Sequence, residues 1–414
     1  MKRVYKPCRF FFNFKMEQKR EHLYTQKLFP TINNDDLLEF RIPPNQKGQL
    51  DLSNVLLHFV VTLPEPSDKT ARLLPQNFLG PKQFSSVEIR LNGEAVSRRS
   101  CANEYFLSAY FNYLINYSID YQNSAMRSVG IYDYAQEKTT TLARWPPEVM
   151  KVFKSNRSTL GVDQTTFEVI MPIDSTLFYT NDLLPSNTAL DLSFERVKAS
   201  SSGILTKSVD LEDSVLELKD CYMMLPFKRD ESMFQLERNA IEKPLKIKYD
   251  DFIIKRFNVP TGTDSVMMND IISGQLPYRI FWGLQNMASY SGSFEYSSSR
   301  FNRNGVNKVN IYIDGKEGDD FPLTLSQDMV GLPFIKFLQS TNQLQNGYLS
   351  RTLSLTEYRD SNCIFSTSLD PDTSGSLSFE FGFDNVVAGD LALIVCCLYD
   401  RTMKIDQRRN FRIT

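Results

Sequence analysis

At 414 residues, 42 % of them hydrophobic, the chain is long enough for two ordinary domains with a full core in each. A net charge of −2 excludes a protein that binds polyanions over its whole surface. The lack of any run of about 20 apolar residues excludes a membrane-spanning helix.

The N-terminal stretch, with Lys2, Arg3, Lys6 and Arg9, is basic and aromatic. Its apolar run is too short for a signal-peptide core, and Met1 and Met16 both stand as candidate starts. An N-terminal arm is expected over 1–35. Residues 37–42 form a strand pattern stopped by Pro43-Pro44. The apolar run 55–63 reads as a central strand covered on both faces. Val87, Ile89 and Leu91 alternate with Glu88 and Arg90 and run into Asn92-Gly93. That pair is a strong hairpin signal, because both turn positions need a positive φ. Asn103 can cap a helix in which Tyr105, Phe106, Ala109, Tyr110, Tyr113 and Leu114 recur at spacings of three and four. Residues 116–162 read as a long excursion with little sheet. Strands resume over 167–173, 189–197 and 215–225.

Charged residues over 226–243, followed by Pro244, mark the expected domain boundary. The pattern then begins again. Leu245, Ile247 and Tyr249 alternate with Lys246 and Lys248, and strands are expected over 253–259 and 278–284. The intervening residues 262–275 read as a loop. Val309, Ile311 and Ile313 lead into Asp314-Gly315, a helix-like stretch covers 325–338, and strands follow over 363–369, 376–383 and 391–399. The tail 404–414 carries Lys404, Arg408, Arg409 and Arg412, which read as a contact to DNA or to a neighbouring subunit, or as a solvated sheet edge.

The halves share an order of features. Val87-Glu-Ile-Arg-Leu-Asn-Gly93 matches Val309-Asn-Ile-Tyr-Ile-Asp-Gly315, and Leu192-Ser-Phe-Glu195 is repeated at Leu377-Ser-Phe-Glu380. Ile173-Asp174 and Leu369-Asp370 precede the second match. The expected fold is therefore all-β: two tandem antiparallel jelly rolls, 36–228 and 244–403, each with a short inserted helix.

Chemistry-bearing motifs are scarce. There is no Gly-rich phosphate loop and no Gly-x-Ser-x-Gly elbow. His22 and His58 are the only histidines; His58 reads as a packed core residue. Six cysteines, Cys8, Cys101, Cys221, Cys363, Cys396 and Cys397, have no disulfide or metal spacing and read as buried thiols of a protein made inside a cell. Asp314, Glu317, Asp319 and Asp320 form an acidic loop that reads as a solvated turn, with calcium as the other reading. No catalytic residue, cofactor or metal is assigned. Glycosylation triplets at 116–118 and 156–158 read as chance matches.

Leu50-Asp-Leu-Ser-Asn54, Val87 to Gly93, the aromatic helix from Glu104, Phe281-Trp-Gly-Leu284, Tyr290-Ser-Gly-Ser293, Ile311 to Gly315, and Ile405-Asp406 with Arg409-Asn410 together resemble the double jelly-roll major capsid proteins of Polinton/Maverick elements and adintovirus-like viruses. The resemblance runs from about Leu37 to the end. It departs at Ser298-Ser-Arg-Phe301, where relatives tend to have an Asn-Pro-Phe turn. The resemblance implies a homotrimeric, pseudo-hexagonal capsomer that tiles an icosahedral shell around double-stranded DNA, contacts neighbouring capsomers and works with a separate single jelly-roll penton protein. It implies a location in the virion, after synthesis inside the host cell. A trimer needs two different contact patches per subunit, rich in aromatics; the Phe and Tyr content suits this, and 117–162 and 262–275 are candidate towers or inter-subunit arms. The rival readings are a secreted-type glycan-binding protein or glycan amidase on tandem jelly rolls, and a minor capsid protein or host-retained capsid relic.

Overall fold

The computed structural model describes residues 21–44, 48–63, 74–96, 103–117, 128–130, 166–205, 213–231, 235, 245–326, 329–344, 353–370, 373–406 and 411–413. In the first half the strands are β1 (Glu21–Leu28), β2 (Ile32–Asn33), β3 (Leu37–Ile42), β4 (Gln49–Leu50), β5 (Leu56–Thr62), β6 (Leu74–Pro75), β7 (Phe84–Leu91), β8 (Glu94–Ala95), β9 (Thr166–Pro172), β10 (Leu190–Arg196), β11 (Ile204–Leu205) and β12 (Leu218–Arg229). The second half supplies β13 (Leu245–Val259), β14 (Ser265–Gln275), β15 (Arg279–Asn286), β16 (Val306–Ile313), β17 (Lys316–Glu317), β18 (Leu323–Thr324), β19 (Phe365–Ser368), β20 (Ser374–Phe383), β21 (Leu391–Ile405) and β22 (Phe411–Ile413). The helices are α1 (Glu104–Asn116), α2 (Met287–Ser291), α3 (Gly331–Ser340) and α4 (Leu355–Ser361).

All named pairings are antiparallel, and both halves follow one path. In the first, β1-β12-β5-β9 faces β2-β3-β10-β7-β8; in the second, β13-β21-β15-β19 faces β14-β20-β16-β17. Each is a two-sheet sandwich whose inner faces alternate with outer ones along the strand. On β10 the inward Leu190, Leu192 and Phe194 are fully buried, and on β20 Leu377, Phe379 and Phe381.

The ladders also correct how the halves align. Leu91, just before the Asn92-Gly93 turn, pairs with Leu190, whereas Ile313, just before Asp314-Gly315, pairs with Leu377. The identical Leu-Ser-Phe-Glu stretches thus sit on equivalent strands but two residues out of register. A slip of two preserves which face each side chain takes, so the identity reflects the strand's inside-out pattern and not position-by-position correspondence. Both turns have a positive φ at both positions: 49° and 86° at Asn92-Gly93, 49° and 75° at Asp314-Gly315.

Four expectations change. Residues 262–275 are no loop: Ser265–Gln275 is strand β14, paired with β20, and its polar composition reflects an outer face left in water. The expected arm contributes β1, paired with β12, and β2, paired with β3, so 21–33 belongs to the first sandwich. Strand β5 buries Leu57, Phe59 and Val61 completely but leaves Leu56 and Val60 half-covered, so only one face is core. His58, on that second face, is buried and packed as the sequence suggested, though away from the apolar cluster. It stacks on Tyr222 (4.2 Å between centroids) and bonds Glu168 Oε1 at 2.8 Å and the Asp220 carbonyl at 3.0 Å. The expected boundary begins inside β12, which continues to Arg229. Residues 1–20, most of 116–162, Trp145, Cys8, Cys101, Arg408 and Arg409 lie outside the described residues.

Candidate functional site

The most elaborate constellation is the seam between the two sandwiches, and α1 is its wedge. Every residue from Tyr105 to Ile115 is buried. A helix that is apolar all round has to be covered all round, and α1 is covered by both halves. On its own side, Phe78 touches the rings of Phe106, Tyr110 and Tyr113 at 5.0–5.8 Å. Tyr105 lies edge-on to Phe84 and Phe194. On the other side, Tyr110 stacks on Phe301 at 5.1 Å, and Phe111 meets Phe301 and Phe281 at 5.8 and 6.5 Å.

Polar contacts fix the register of the seam. The Tyr110 hydroxyl donates to Asn362 Oδ1, Asn103 Nδ2 donates to the Tyr290 carbonyl at 2.8 Å, and Gln343 Nε2 to the Leu114 carbonyl at 3.3 Å. Thr180 Oγ1 donates to the Lys248 carbonyl at 2.9 Å, beside Tyr179 packed on Phe252 at 4.8 Å. The Lys82 ammonium is buried, donates to Gln76 Oε1 at 2.7 Å and reaches Ser299 Oγ at 3.4 Å. A seam cavity of about 10 Å³ beside Lys82 and Tyr290 has room for roughly one water.

Several sequence motifs turn out to be seam parts. In Phe281-Trp-Gly-Leu284, Phe281 faces α1 and α3 (6.1 Å to Phe337), while Trp282 stacks inward on Phe379 and Phe365. Gly283 leaves the space that Phe301 fills: a Cβ there would stand 2.6 Å from the Phe301 ring. Gly292, at φ +100°, lies against the Ser201 hydroxyl of the first sandwich. The segment 298–301, where the chain departs from its resembled relatives, supplies the buried Phe301. Sequence reasoning missed Phe78, Lys82 and Phe301. Phe78 sits at φ +65°, a conformation costly for a bulky residue, and nothing local announces it.

Asp51, from Leu50-Asp-Leu-Ser-Asn54, forms an ion pair with Lys228 of β12 and accepts from Ser53 (2.7 Å) and Asn54 (2.8 Å). Asp174, by contrast, is buried where β9 ends at the seam. It accepts from Asn112 Nδ2 of α1 at 2.8 Å, and burial pushes its carboxyl up to about 7 despite that bond. Its sequence counterpart Asp370 is exposed.

The histidine and acidic residues weighed for chemistry in the sequence have ordinary partners. His22 bonds only Thr25 (3.1 Å) among the described residues. Asp314 accepts from the Ser376 amide, Glu317 from Asn310, and Asp320 pairs with Lys336. No group of three metal-ligating side chains occurs among the described residues. Cys221, Cys363, Cys396 and Cys397 are buried and free, and burial lifts the Cys363 and Cys397 thiols to about 12 and Cys221 to about 11. Of the tail cations, Lys404 lies on β21 and Arg412 on β22, directly opposite one another.

The fold has counterparts among solved structures. The Sputnik virophage structure matches with a TM-score of 0.62 at 12 % identity, over 95 % of this chain and 89 % of that one. The PBCV-1 virus capsid matches at 0.56 and 10 %, over 97 % and 99 %. The mavirus major capsid protein matches at 0.51 and 11 %, over 100 % and 96 %. The chain has the double jelly-roll fold. No family model matches it. An uncharacterized protein of Caenorhabditis elegans is 19 % identical over 399 residues, covering 90 % of this chain and 92 % of that protein. Within the double jelly roll the seam contacts join the two sandwiches into one block.

Proposed function

We propose that the chain is a structural major capsid protein and not an enzyme. In this reading it forms homotrimeric, hexon-like capsomers, contacts neighbouring capsomers and a separate penton protein in an icosahedral virion shell, and encloses double-stranded DNA that its basic tail touches weakly. The observation that carries the reading is the match over essentially the whole chain to the mavirus major capsid protein and the PBCV-1 virus capsid. The packing is consistent with it. In this reading the two sandwiches of one topology, held together by buried aromatics, supply two sides of a hexagon, and three copies close the ring head to tail.

The test is the native mass of the purified chain by light scattering after size exclusion. Three chains of 47.8 kDa come to about 143 kDa. A species of that mass, unmoved by dilution, is expected, since permanent contacts commonly bury more than about 2,000 Å². A monomer at high concentration would overturn the trimeric reading. A second reading, a capsid gene carried or retained in an animal genome, as in Polinton/Maverick elements, draws on the nematode relative that spans nearly the whole chain.

A further inference from the structure

The three-stranded ribbon β13-β21-β22 has a strongly polarised end. Leu245, Ile405 and Phe411 are opposite one another, as are Ile247, Met403 and Ile413. Of these, Leu245, Ile247, Met403 and Ile405 are buried, and Phe411 packs partly buried against the core. Between these rows, pointing the other way, Lys246, Lys404 and Arg412 are opposite one another across three adjacent strands. Lys246 and Arg412 are exposed and Lys404 half-exposed. Exposed Lys248 follows on the same face.

Like charges placed directly opposite in an antiparallel ladder destabilise it, and no described acid pairs with this row. None of Lys246, Lys404 and Arg412 has an ion-pair partner among the described residues. The described acids closest along the ribbon on that face are Asp406, just past β21, and the Asp250–Asp400 pair beyond Lys248. A row kept cationic against the cost of its own repulsion is suited to an external anion.

We infer that this row is a binding surface for the phosphodiester backbone of double-stranded DNA. Neighbouring strands stand about 4.8 Å apart, so the three cations span about 10 Å, the rise covered by about four successive phosphates of one strand at about 3.4 Å each. A membrane-binding face would set apolar or aromatic side chains among its cations. Here the outward positions are Lys246, Lys248, Thr402, Lys404 and Arg412, none of them apolar. Contacts to phosphates alone carry no base information, so binding is independent of sequence. The inference rests on the shell reading for its biological setting only.

The test is fluorescence anisotropy of the full chain with a labelled DNA duplex. Neutralising three phosphates gives a log–log salt slope of about −2.7, so affinity falls about 40-fold between 50 and 200 mM salt. The Lys246→Gln/Lys404→Gln/Arg412→Gln variant should keep its circular dichroism and native mass, bind at least about 10-fold more weakly at low salt, and lose most of the slope. Single Lys246→Gln and Arg412→Gln variants, each weakening binding and flattening the slope by about one, serve if the triple variant misfolds. Wild-type chain that ignores the duplex, a variant that binds as well as wild type, or binding to vesicles of phosphatidylcholine and phosphatidylserine but not to duplex would each overturn the inference. A monomer that nonetheless binds duplex through the row would sink the shell reading and leave this one standing.

Discussion

At the scale of single residues, two buried carboxylates give opposite pH signatures. Burial alone would raise Asp51, but hydrogen bonds from Lys228, Ser53 and Asn54 outweigh it and hold its carboxyl below the ordinary value. Its contribution is present above the unfolded value of about 3.9 and is lost as pH falls through the lower folded value. Asp51→Ala strands the Lys228 ammonium and unties the segment after β4 from β12; a loss of about 3 kcal/mol is expected from urea denaturation at pH 7. Asp174 runs the other way. Burial raises it to about 7, so the folded state holds a proton that the unfolded chain has lost above about 3.9. Stability from this group is full in acid and declines as pH rises from about 4 to about 7, by up to about 4 kcal/mol. Asp174→Asn keeps the shape and the Asn112 bond without the charge. Its melting temperature should exceed wild type at pH 8 and match it at pH 4; equal melting temperatures at both values would refute a buried titrating carboxyl.

At the scale of elements, α1 decides whether the sandwiches act together. Its aromatic residues recur at helical spacing, which is why the helix was legible, but the same residues line more than one face. Among the described rings of the second sandwich, Phe281 and Phe301 meet Phe111. Phe111→Ala empties a buried site at the seam and is expected to cost about 4 kcal/mol. Because the lost contacts join two sandwiches that each have their own core, unfolding monitored by intrinsic fluorescence and circular dichroism should separate into two transitions in the variant. A single coincident transition would mean that the remaining seam contacts suffice. The strands show the converse. Val87 to Leu91 and Val309 to Ile313 were read from alternation, while β14 was missed because Ser265, Asn269, Asp270, Ser273 and Gly274 look like loop. A ladder to β20 overrides that composition, since strand preference depends on pairing more than on the segment.

At the scale of the whole molecule, both sandwiches share one topology but expose different surfaces. The shell reading requires each copy to bury a further seam against its neighbour, and exposed Leu332 and Ile335 on α3, with Met329 just before it, are apolar residues that water disfavours. If they lie in the trimer contact, Leu332→Asp/Ile335→Asp should shift the native mass from about 143 kDa towards the 47.8 kDa chain. Retention of the trimer would place the contact elsewhere.

The sequence by itself determined the all-β class, the two-fold repetition of the pattern, the Asx-Gly turns and the aromatic helix. Each of these is local, set by side-chain period, by turn chemistry or by a short run of residues. It did not determine the register between the halves, the pairing of polar β14, the burial of Asp174 beside the exposure of Asp370, or the seam that Phe78, Lys82 and Phe301 build. Those depend on which distant segments meet. An outer-face strand, a buried charge and an aromatic anchor acquire their energies from partners up to hundreds of residues away, and only the tertiary structure brings those partners together.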